Sequence, residues 1–285
     1  MAALEGEAQP APHYQDVFAH TCSVMAHLDG IAALIWSCPD AEASGADFPW
    51  AAPWVWSRVE EMLAPYATLL RAHLGQPLTT GRTRQDWLPW AALLHDTGKP
   101  ATRSGSAEPP TFPGHEAAGA LLAAARLQRL RAAKAEVDAV ATTVRGHMRP
   151  AAMARAHPAS RTAIYRYYRE MGPSGVECAL LSLADHLSLH AQATDPERLA
   201  SRLATTDLLL EAYFLRRETW LDPPPILDGR QVMEISGLGP GPELGSLLAQ
   251  LRERQAIGEI RSTEAAVWWL AEQAGGGPPE RGAPA

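Results

Sequence analysis

The chain has 285 residues, of which 46% are hydrophobic and 20% charged, and its formal net charge is −7. This composition is typical of a globular protein, and the negative charge argues against a protein that coats nucleic acid over its whole surface. Three widely spaced cysteines without a CxxC pair argue against a disulfide framework and a thiolate zinc site. With no signal peptide and no uninterrupted apolar stretch of membrane-spanning length, we expect a cytoplasmic protein without a membrane segment.

The first half of the chain shows helical periodicity and few strand signals. Residues 16–28 place apolar side chains on one face, with Asp16 as a helix N-cap, and residues 37–56 are interpreted as a loop. A second helix over 57–74 is expected to kink or break at Pro65. The next helix ends at Asp96, with Gly98 suited to a C′ position and Pro100 preventing continuation.

The second half predicts further helices over 115–131, 135–148, 160–172, 175–189 and 196–217. The segment 175–189 is apolar on nearly every side, which predicts a central buried helix. A Pro/Gly-rich connector follows, and a helical pair over 242–273 is expected to close the folded part. The fold class is therefore all-α. The domain boundaries that we predict are a disordered N-terminus over 1–12, a main domain over 13–218, a C-terminal helical extension over 219–273 and a disordered tail over 274–285.

Positive charge is concentrated in one segment of this acidic chain. Between Arg126 and Arg169, ten basic residues occur with only two acidic ones. Such a basic segment indicates a local anionic partner, although solvated helix faces are an equally good explanation.

Several predicted helices carry a histidine or an acid where a core residue is expected. His20 lies between Val17 and Val24 on an apolar face, and Asp185 interrupts the most apolar helix of the chain. A single buried histidine is usually a hydrogen-bonded core residue, and a single aspartate can cap a helix, but a set of six favours a shared reason. The candidate ligands are His20, His95, Asp96, His115, His147 and Asp185.

Imidazole and carboxylate ligands without thiolate suit Mn, Fe, Co, Ni or Zn, and Mg less well. Neighbouring helical residues point about 100° apart, so His95 and Asp96 converge on one point only near a helix end. Gly98 is expected to supply that end. An aspartate there has two oxygens with which to bridge two ions, and such a pair would activate hydroxide for attack on phosphorus.

These residues, taken in order, resemble the H…HD…D pattern of the HD-domain metal-dependent phosphohydrolases. The stretches "DVFAHT", "AALLHDTGKPATR", "FPGHEAAGA", "VRGHMRP" and "LADHLS" are similar to the HD-containing half of bacterial tRNA nucleotidyltransferase/poly(A) polymerase proteins, from about residue 15 to 272. The resemblance implies an HD-domain helical bundle. No glycine-rich loop or DxD pair precedes His20, so we do not expect nucleotidyltransferase activity from this chain alone.

The resemblance also implies roles for the residues. Asp96 would bridge two ions, His20, His95 and Asp185 would hold the first, and His115 and His147 the second; single-ion occupancy stays open. Lys99 would contact a substrate phosphate and act beside Asp96 in catalysis, unless it only complements a helix dipole. Arg149 is a further phosphate candidate or a surface arginine.

The function predicted first is a phosphohydrolase, either phosphodiesterase or phosphatase, for a nucleotide or RNA-terminal phosphate such as a 2′,3′-cyclic phosphate. Its cofactor would be one or two divalent ions. Arg161, in the Arg- and Tyr-rich "RTAIYRYYR", is a candidate for binding RNA, although such a helix can be simply amphipathic. The alternatives are an RNA- or tRNA-binding module that partners a separately encoded nucleotidyltransferase head, and an HD nucleotidase for free nucleoside phosphates. The oligomeric state is not predicted.

Overall fold

The structure is a computed structural model, and it describes residues 1–9, 15–37, 52–104, 110–155, 159–189 and 195–273. The described part is almost entirely helical, which confirms the all-α class. The helices are α1 (Val17–Trp36), α2 (Pro53–Leu63), α3 (Ala67–Leu74), α4 (Arg84–Leu94), α5 (Lys99–Thr102), α6 (His115–Arg129), α7 (Lys134–Gly146), α8 (Met148–Arg155), α9 (Arg161–Met171), α10 (Gly175–Ser188), α11 (Pro196–Phe214), α12 (Gly229–Ser236), α13 (Pro242–Ile257) and α14 (Thr263–Gln273).

One small hairpin interrupts the helices of the described chain. Strand β1 (Pro77–Thr79) pairs antiparallel with β2 (Arg82–Thr83). Gly81 lies between the strands with φ of +77°, a conformation that glycine adopts without steric cost. The hairpin leads directly into α4, whose N-cap Thr83 and Asp86 form a capping box.

The chain divides into two compact units, one of residues 1–159 and 170–214 and the other of residues 160–169 and 215–285. In the first unit, α10 packs against α1, α7, α8 and α11, and α4 packs against α1 and α7. Almost all residues of α10 are buried, which confirms the prediction of a central helix. In the second unit, α12 packs against α13 and α14 around Val232 and Leu270. The predicted boundary at 218 and 219 stays a prediction.

The structure corrects one expectation about this region and confirms another. The segment 37–56 was expected to be a loop, but α2 begins at Pro53, because proline suits the first turn of a helix; residues 38–51 lie outside the described part. Trp56 is therefore a helical residue, and its ring stacks on His27 with centroids 5.9 Å apart. The expected break at Pro65 is confirmed, since α2 and α3 are separated by the 3₁₀ turn Ala64–Tyr66.

The N-terminal residues 1–9 were expected to be disordered, whereas the structure orders them against the first unit. Leu4 is buried, and the carbonyl of Glu7 accepts a hydrogen bond from the backbone of Val17. The carboxylate of Glu7 also pairs with Arg103. One buried leucine and these polar contacts hold a segment whose composition alone predicts no packing. Residues 10–12 and the predicted tail over 274–285 lie outside the described residues.

Helix α1 is, within the described ranges, the one helix long and apolar enough to cross a membrane by length and composition. Core helices of globular domains meet the same criterion. Here α1 packs against α10, α4 and α3 and buries His20 and His27 among its apolar residues.

Candidate metal centre

The centre is built at the C-terminal end of α4. This helix ends at Leu94, and His95 and Asp96 follow in a tight turn in which the backbone of Lys99 donates to the carbonyl of Asp96. Both side chains are buried, with 1% and 2% exposure for His95 and Asp96. The turn lets the two neighbouring side chains aim into one volume, which a continuing helix would prevent.

Glycine is required at position 98 for a different reason from the one expected from the sequence. It is not a left-handed C′ glycine, because its φ is −77° and it caps the N-terminus of α5, which includes Pro100. A Cβ built on Gly98 would lie 2.6 Å from the backbone nitrogen of Gly119 and closer still to the carbonyl oxygen of His115. The absence of a side chain therefore lets the turn approach α6 closely enough for His115 to reach Asp96.

The two carboxylate oxygens of Asp96 face different histidines. Oδ2 lies 3.2 Å from Nε2 of His95 and 3.7 Å from Nε2 of His20. Oδ1 lies 3.4 Å from Nε2 of His115 and 3.9 Å from Nε2 of His147. The ligand atoms thus form two groups of three that share only Asp96.

Asp185 lies beside His20 of the first of these groups. Its Oδ1 lies 3.0 Å from Nε2 of His20, on the central helix α10 that packs against α1. All six candidate ligands from the sequence therefore lie in one cluster. Their roles as metal ligands stay a prediction.

Three of the histidines are oriented in the same way. In each, Nδ1 lies within hydrogen-bond distance of the backbone carbonyl three residues earlier. A carbonyl oxygen can only accept, so in the neutral ring Nδ1 carries the proton and Nε2 presents a lone pair. The pairs are His95 with Ala92 at 2.7 Å, His115 with Phe112 at 2.9 Å and His147 with Val144 at 2.7 Å.

His20 reaches the same orientation by another route. The hydroxyl of Ser188 donates to the carbonyl of Asp185 at 2.7 Å, which leaves its oxygen to accept from Nδ1 of His20 at 3.1 Å. In the neutral ring, Nε2 of His20 is then also unprotonated and faces the carboxylates of Asp96 and Asp185.

This arrangement fits a divalent cation. Lone pairs of imidazole nitrogens and carboxylate oxygens face one another in the interior, where a cation removes their repulsion and replaces lost solvation. Among the described residues, the buried Nε2 atoms of His95 and His115 have no hydrogen-bond partner. Nitrogen and oxygen donors without thiolate suit first-row transition ions, and which ion binds stays a prediction.

The charges of the cluster shift its pKa values strongly. Burial raises the pKa of Asp96, but the charges of His95 and Lys99 outweigh burial and hold it well below the usual range. Asp185 behaves alike: His20 in its protonated form donates to this carboxylate, and that hydrogen bond and charge overcome burial and lower the pKa of Asp185. Both carboxylates are therefore anionic, as a cation site requires.

The pKa values of His95 and His147 shift in opposite directions. Burial lowers the pKa of His95, but the charge of Asp96 outweighs it and the net pKa is raised. For His147, burial and the charge of His95 together lower the pKa to about 4. His147 is therefore neutral near neutral pH and available as a ligand.

Lys99 lies at the edge of the same cluster and is buried. Its ammonium nitrogen is 2.6 Å from Oδ2 of Asp96 and also donates to the side-chain oxygen of Gln9 in the ordered N-terminal segment. Lys99 also borders the cavity in front of the centre. A contact with substrate stays a prediction.

The other two residues expected to bind substrate lie elsewhere. Arg149 pairs with Glu170 and does not border the cavity among the described residues. It follows His147 by two positions, and two helical steps rotate a side chain by about 200°, away from its predecessor. Arg161 belongs to the second unit, where it donates to the carbonyl of Thr219 at 2.6 Å.

A cavity of about 550 Å³ opens in front of the centre. Asp96, Lys99, His115, His147 and Asp185 border it. Its other polar residues were not anticipated from the sequence, and include Arg155, Arg198 and Arg202. The spacing of Arg198 and Arg202 by four residues was the available signal, because it places both on one face of α11.

A family model described as "HD domain" matches residues 58–189 of the chain. Residues 58–189 thus match an HD domain, in agreement with the helical fold and the buried His/Asp cluster. The matched range includes five of the six clustered side chains and excludes His20, which joins them only through the packing of α1 on α10.

Two curated relatives match the chain more extensively. The A-adding tRNA nucleotidyltransferase of Deinococcus radiodurans is 36% identical over 183 residues, which cover 63% of this chain and 40% of the relative. The CC-adding tRNA nucleotidyltransferase of Thermus thermophilus is 35% identical over 194 residues, which cover 65% of this chain and 40% of the relative. The match thus spans well under half the length of either relative.

Proposed function

We propose that the chain is a metal-dependent phosphohydrolase acting on a nucleotide or on an RNA-terminal phosphate, such as a 2′,3′-cyclic phosphate. The observation that carries the proposal is the division of the Asp96 carboxylate between two groups of histidines. A carboxylate with one oxygen in each of two ligand groups is the bridge that a two-ion phosphoesterase needs.

In this proposal, His20, His95 and Asp185 hold one ion, His115 and His147 hold a second, and Asp96 bridges them. Divalent ions in such a site supply Lewis-acid activation of water and of the phosphate oxygens. The backbone carbonyls bonded to Nδ1 keep three of the imidazoles oriented, and the Ser188 hydroxyl orients His20.

Lys99 has the position to bind the reacting phosphate. Its ammonium carries three donors, and the described contacts engage it with Asp96 and Gln9. A phosphate oxygen entering from the cavity would take the place of the neutral Gln9 amide, because a charge-assisted hydrogen bond is the stronger one. Lys99 would then stabilise negative charge on the phosphate while Asp96 keeps the ammonium in place.

The test is metal analysis of the purified protein, followed by hydrolysis of 2′,3′-cyclic AMP, 2′-AMP and a generic phosphodiester with Mn, Co, Ni or Mg added. The isosteric Asp96→Asn variant is expected to lose bound metal and about 99% or more of the activity, a loss typical of a disrupted metal site. Asp138→Asn, at an exposed position of α7, is the matched control. Absence of activity in the wild-type protein with every ion would overturn the proposal.

The relatives favour a second candidate, a tRNA-binding module that works with a nucleotidyltransferase domain. In the second unit, Arg161 and Arg261 are close enough that each would contact a Cβ added at Gly258, and the guanidinium of Arg161 lies 5.2 Å from the ring of Trp220. Adjacent guanidinium groups beside an aromatic ring suit RNA phosphate and base. Equal inactivity of wild type and Asp96→Asn, with tRNA binding in both, would favour this candidate.

A further inference from the structure

The cavity in front of the metal centre has a second charged side. Arg155 lies at the end of α8, and Arg198 and Arg202 lie one helical turn apart on α11. All three border the cavity. Arg198 pairs with Asp195 at 3.3 Å in an exposed ion pair, whereas Arg155 and Arg202 have no ion pair among the described residues.

A half-buried hydrogen bond links the two segments that carry these arginines. The hydroxyl of Ser201 donates to the carbonyl of Ala154 at 2.7 Å, and so joins the residues that directly precede Arg202 and Arg155. Arg202 is half-buried and Arg155 is exposed, and an anion bound by both would relieve the repulsion between their like charges. Burial lowers the pKa of the Arg202 guanidinium, Asp185 raises it and Arg155 lowers it again, as expected for adjacent cations.

Arg202 also has donor capacity that the described residues do not use. Its Nη1 atom is buried and has no hydrogen-bond partner within the described part of the chain. A buried unsatisfied donor on a charged group is costly, and a ligand that accepts from it removes that cost. Asp185, whose charge raises the pKa of Arg202, is already directed at His20.

Arg155 and the candidate ligand His147 lie at opposite ends of α8. His147 directly precedes α8 and Arg155 ends it, so the two residues lie about 12 Å apart along the helix axis. The cavity wall between them includes Met148, Ala151 and Ala154. For a phosphate held at Arg155, this spacing leaves room for a sugar or base between two anionic groups, in a cavity of ordinary ligand-binding size; Arg202 lies close enough to Asp185 for that carboxylate to raise its pKa.

We propose that Arg202, with Arg155, binds a second, non-reacting phosphate of the substrate, so that the cavity selects phosphate esters with two anionic groups. The inference rests on the proposed hydrolase function, because the metal centre would hold the reacting phosphate. Two sources supply the second phosphate: the 5′-phosphate of a nucleoside bisphosphate, or the internal phosphodiester of an RNA end.

Matched substrates test the inference. Adenosine 2′,5′-bisphosphate is compared with 2′-AMP, and a dinucleotide that ends in a 2′,3′-cyclic phosphate with 2′,3′-cyclic AMP. We expect the doubly anionic member of at least one pair to have a KM at least about tenfold lower, as a charge-assisted hydrogen bond provides. The pair with the larger difference identifies the source of the second phosphate. No preference in either pair overturns the proposal.

Three variants test whether Arg202 causes the preference for the doubly anionic substrate. Arg202→Ala should raise the KM of the doubly anionic substrate about tenfold and leave the singly anionic one within about twofold. Arg202→Lys should restore part of the affinity, because it keeps the charge but not the planar pair of donors. Arg126→Ala, at an exposed position of α6, is the control. An equal loss for both substrates in Arg202→Ala would contradict a subsite for the second phosphate.

A binding measurement distinguishes failure of this inference from failure of the hydrolase proposal. Calorimetric titration of adenosine 2′,5′-bisphosphate into wild type and Arg202→Ala needs no turnover, and metal content and melting temperature verify that the variant is folded and loaded like wild type. If no substrate is hydrolysed but the bisphosphate binds about tenfold more weakly to Arg202→Ala, the hydrolase proposal fails and the anion subsite stands. Equal binding to both proteins overturns the subsite.

Discussion

The ammonium nitrogen of Lys99 lies 2.6 Å from Oδ2 of Asp96, the same carboxylate oxygen that faces His20 and His95. Both residues are buried, so this ion pair is poorly screened by solvent. A cation at the border of the cavity is thereby joined directly to the carboxylate that links the two ligand groups. The group proposed to bind phosphate and the group proposed to bridge metal are therefore positioned by each other.

Replacing Lys99 by methionine keeps the side-chain volume and removes its charge. We expect turnover to fall about 10²- to 10³-fold, the usual effect of deleting one donor to a developing charge, while bound metal is retained. Lys134→Met is the matched control, since Lys134 is the other lysine of the chain and is exposed. Steady-state hydrolysis and metal content measure the two effects, and loss of metal in parallel with activity would contradict a substrate role.

The two ligand groups should be separable by substitution. His115→Gln removes a ligand from one group and His20→Gln from the other, and each is expected to lower the metal content by roughly one ion per chain. The double variant should retain only the weak metal binding that Asp96 and the remaining ligands provide. Elemental analysis after dialysis measures the stoichiometry. If His115→Gln retains the full metal content and activity, the centre holds a single ion.

Gly98→Ala tests the close approach of the α4–α5 turn to α6. The added Cβ would collide with backbone atoms of His115 and Gly119, which cannot move as a side chain end can. We expect a loss of about 1–3 kcal/mol in unfolding free energy, as for overpacked cores, and weaker metal binding through displaced His115. Urea unfolding and metal titration measure both effects.

The control for Gly98→Ala is Gly245→Ala in α13. Gly245 is exposed and has open space around an added Cβ, so alanine there should stabilise by about 0.5–1 kcal/mol because it restricts the unfolded chain. Equal effects of the two substitutions would show that backbone packing at Gly98 is not the constraint.

A buried charge network away from the cavity makes stability depend on pH. Glu177 on α10 accepts from Nη1 of Arg84 at 2.7 Å and lies 3.2 Å from Nε2 of His73. Burial raises the pKa of Glu177, but the hydrogen bond and charge of His73 and the charge of Arg84 overcome burial and lower it below 4.5. The ionised form is therefore favoured by folding, so its contribution is present above that pH and is lost as the pH falls.

Urea unfolding between about pH 5 and about pH 3 should show this loss in wild type, and Glu177→Gln should flatten the slope. At neutral pH the same substitution leaves the half-buried Arg84 without its ionic partner, and we expect a cost of about 3 kcal/mol. Glu61→Gln, which breaks an exposed pair with Arg58, should cost at most about 1 kcal/mol. An unchanged slope in Glu177→Gln would assign the acid sensitivity to other groups.

Local sequence patterns were sufficient to predict much of the fold. The apolar stretch of α10 predicted a buried helix because burial on all sides requires apolar residues on all sides. Pro65 predicted a helix break because proline cannot donate to the preceding turn. The prediction for Gly98 was wrong. Its neighbours in the sequence suggested a left-handed helix cap, whereas the structure shows that the constraint is the nearby backbone of α6.

The sequence by itself determined which side chains can form the site. Six histidine and aspartate residues on apolar helix faces identify an oxygen- and nitrogen-donor centre, because side-chain type fixes donor chemistry and periodicity fixes the face. Only the tertiary structure decided how these donors are divided, with one oxygen of Asp96 toward His20 and His95 and the other toward His115 and His147. It alone brought Arg202 to the same cavity, because such distances depend on how helices far apart in sequence pack together.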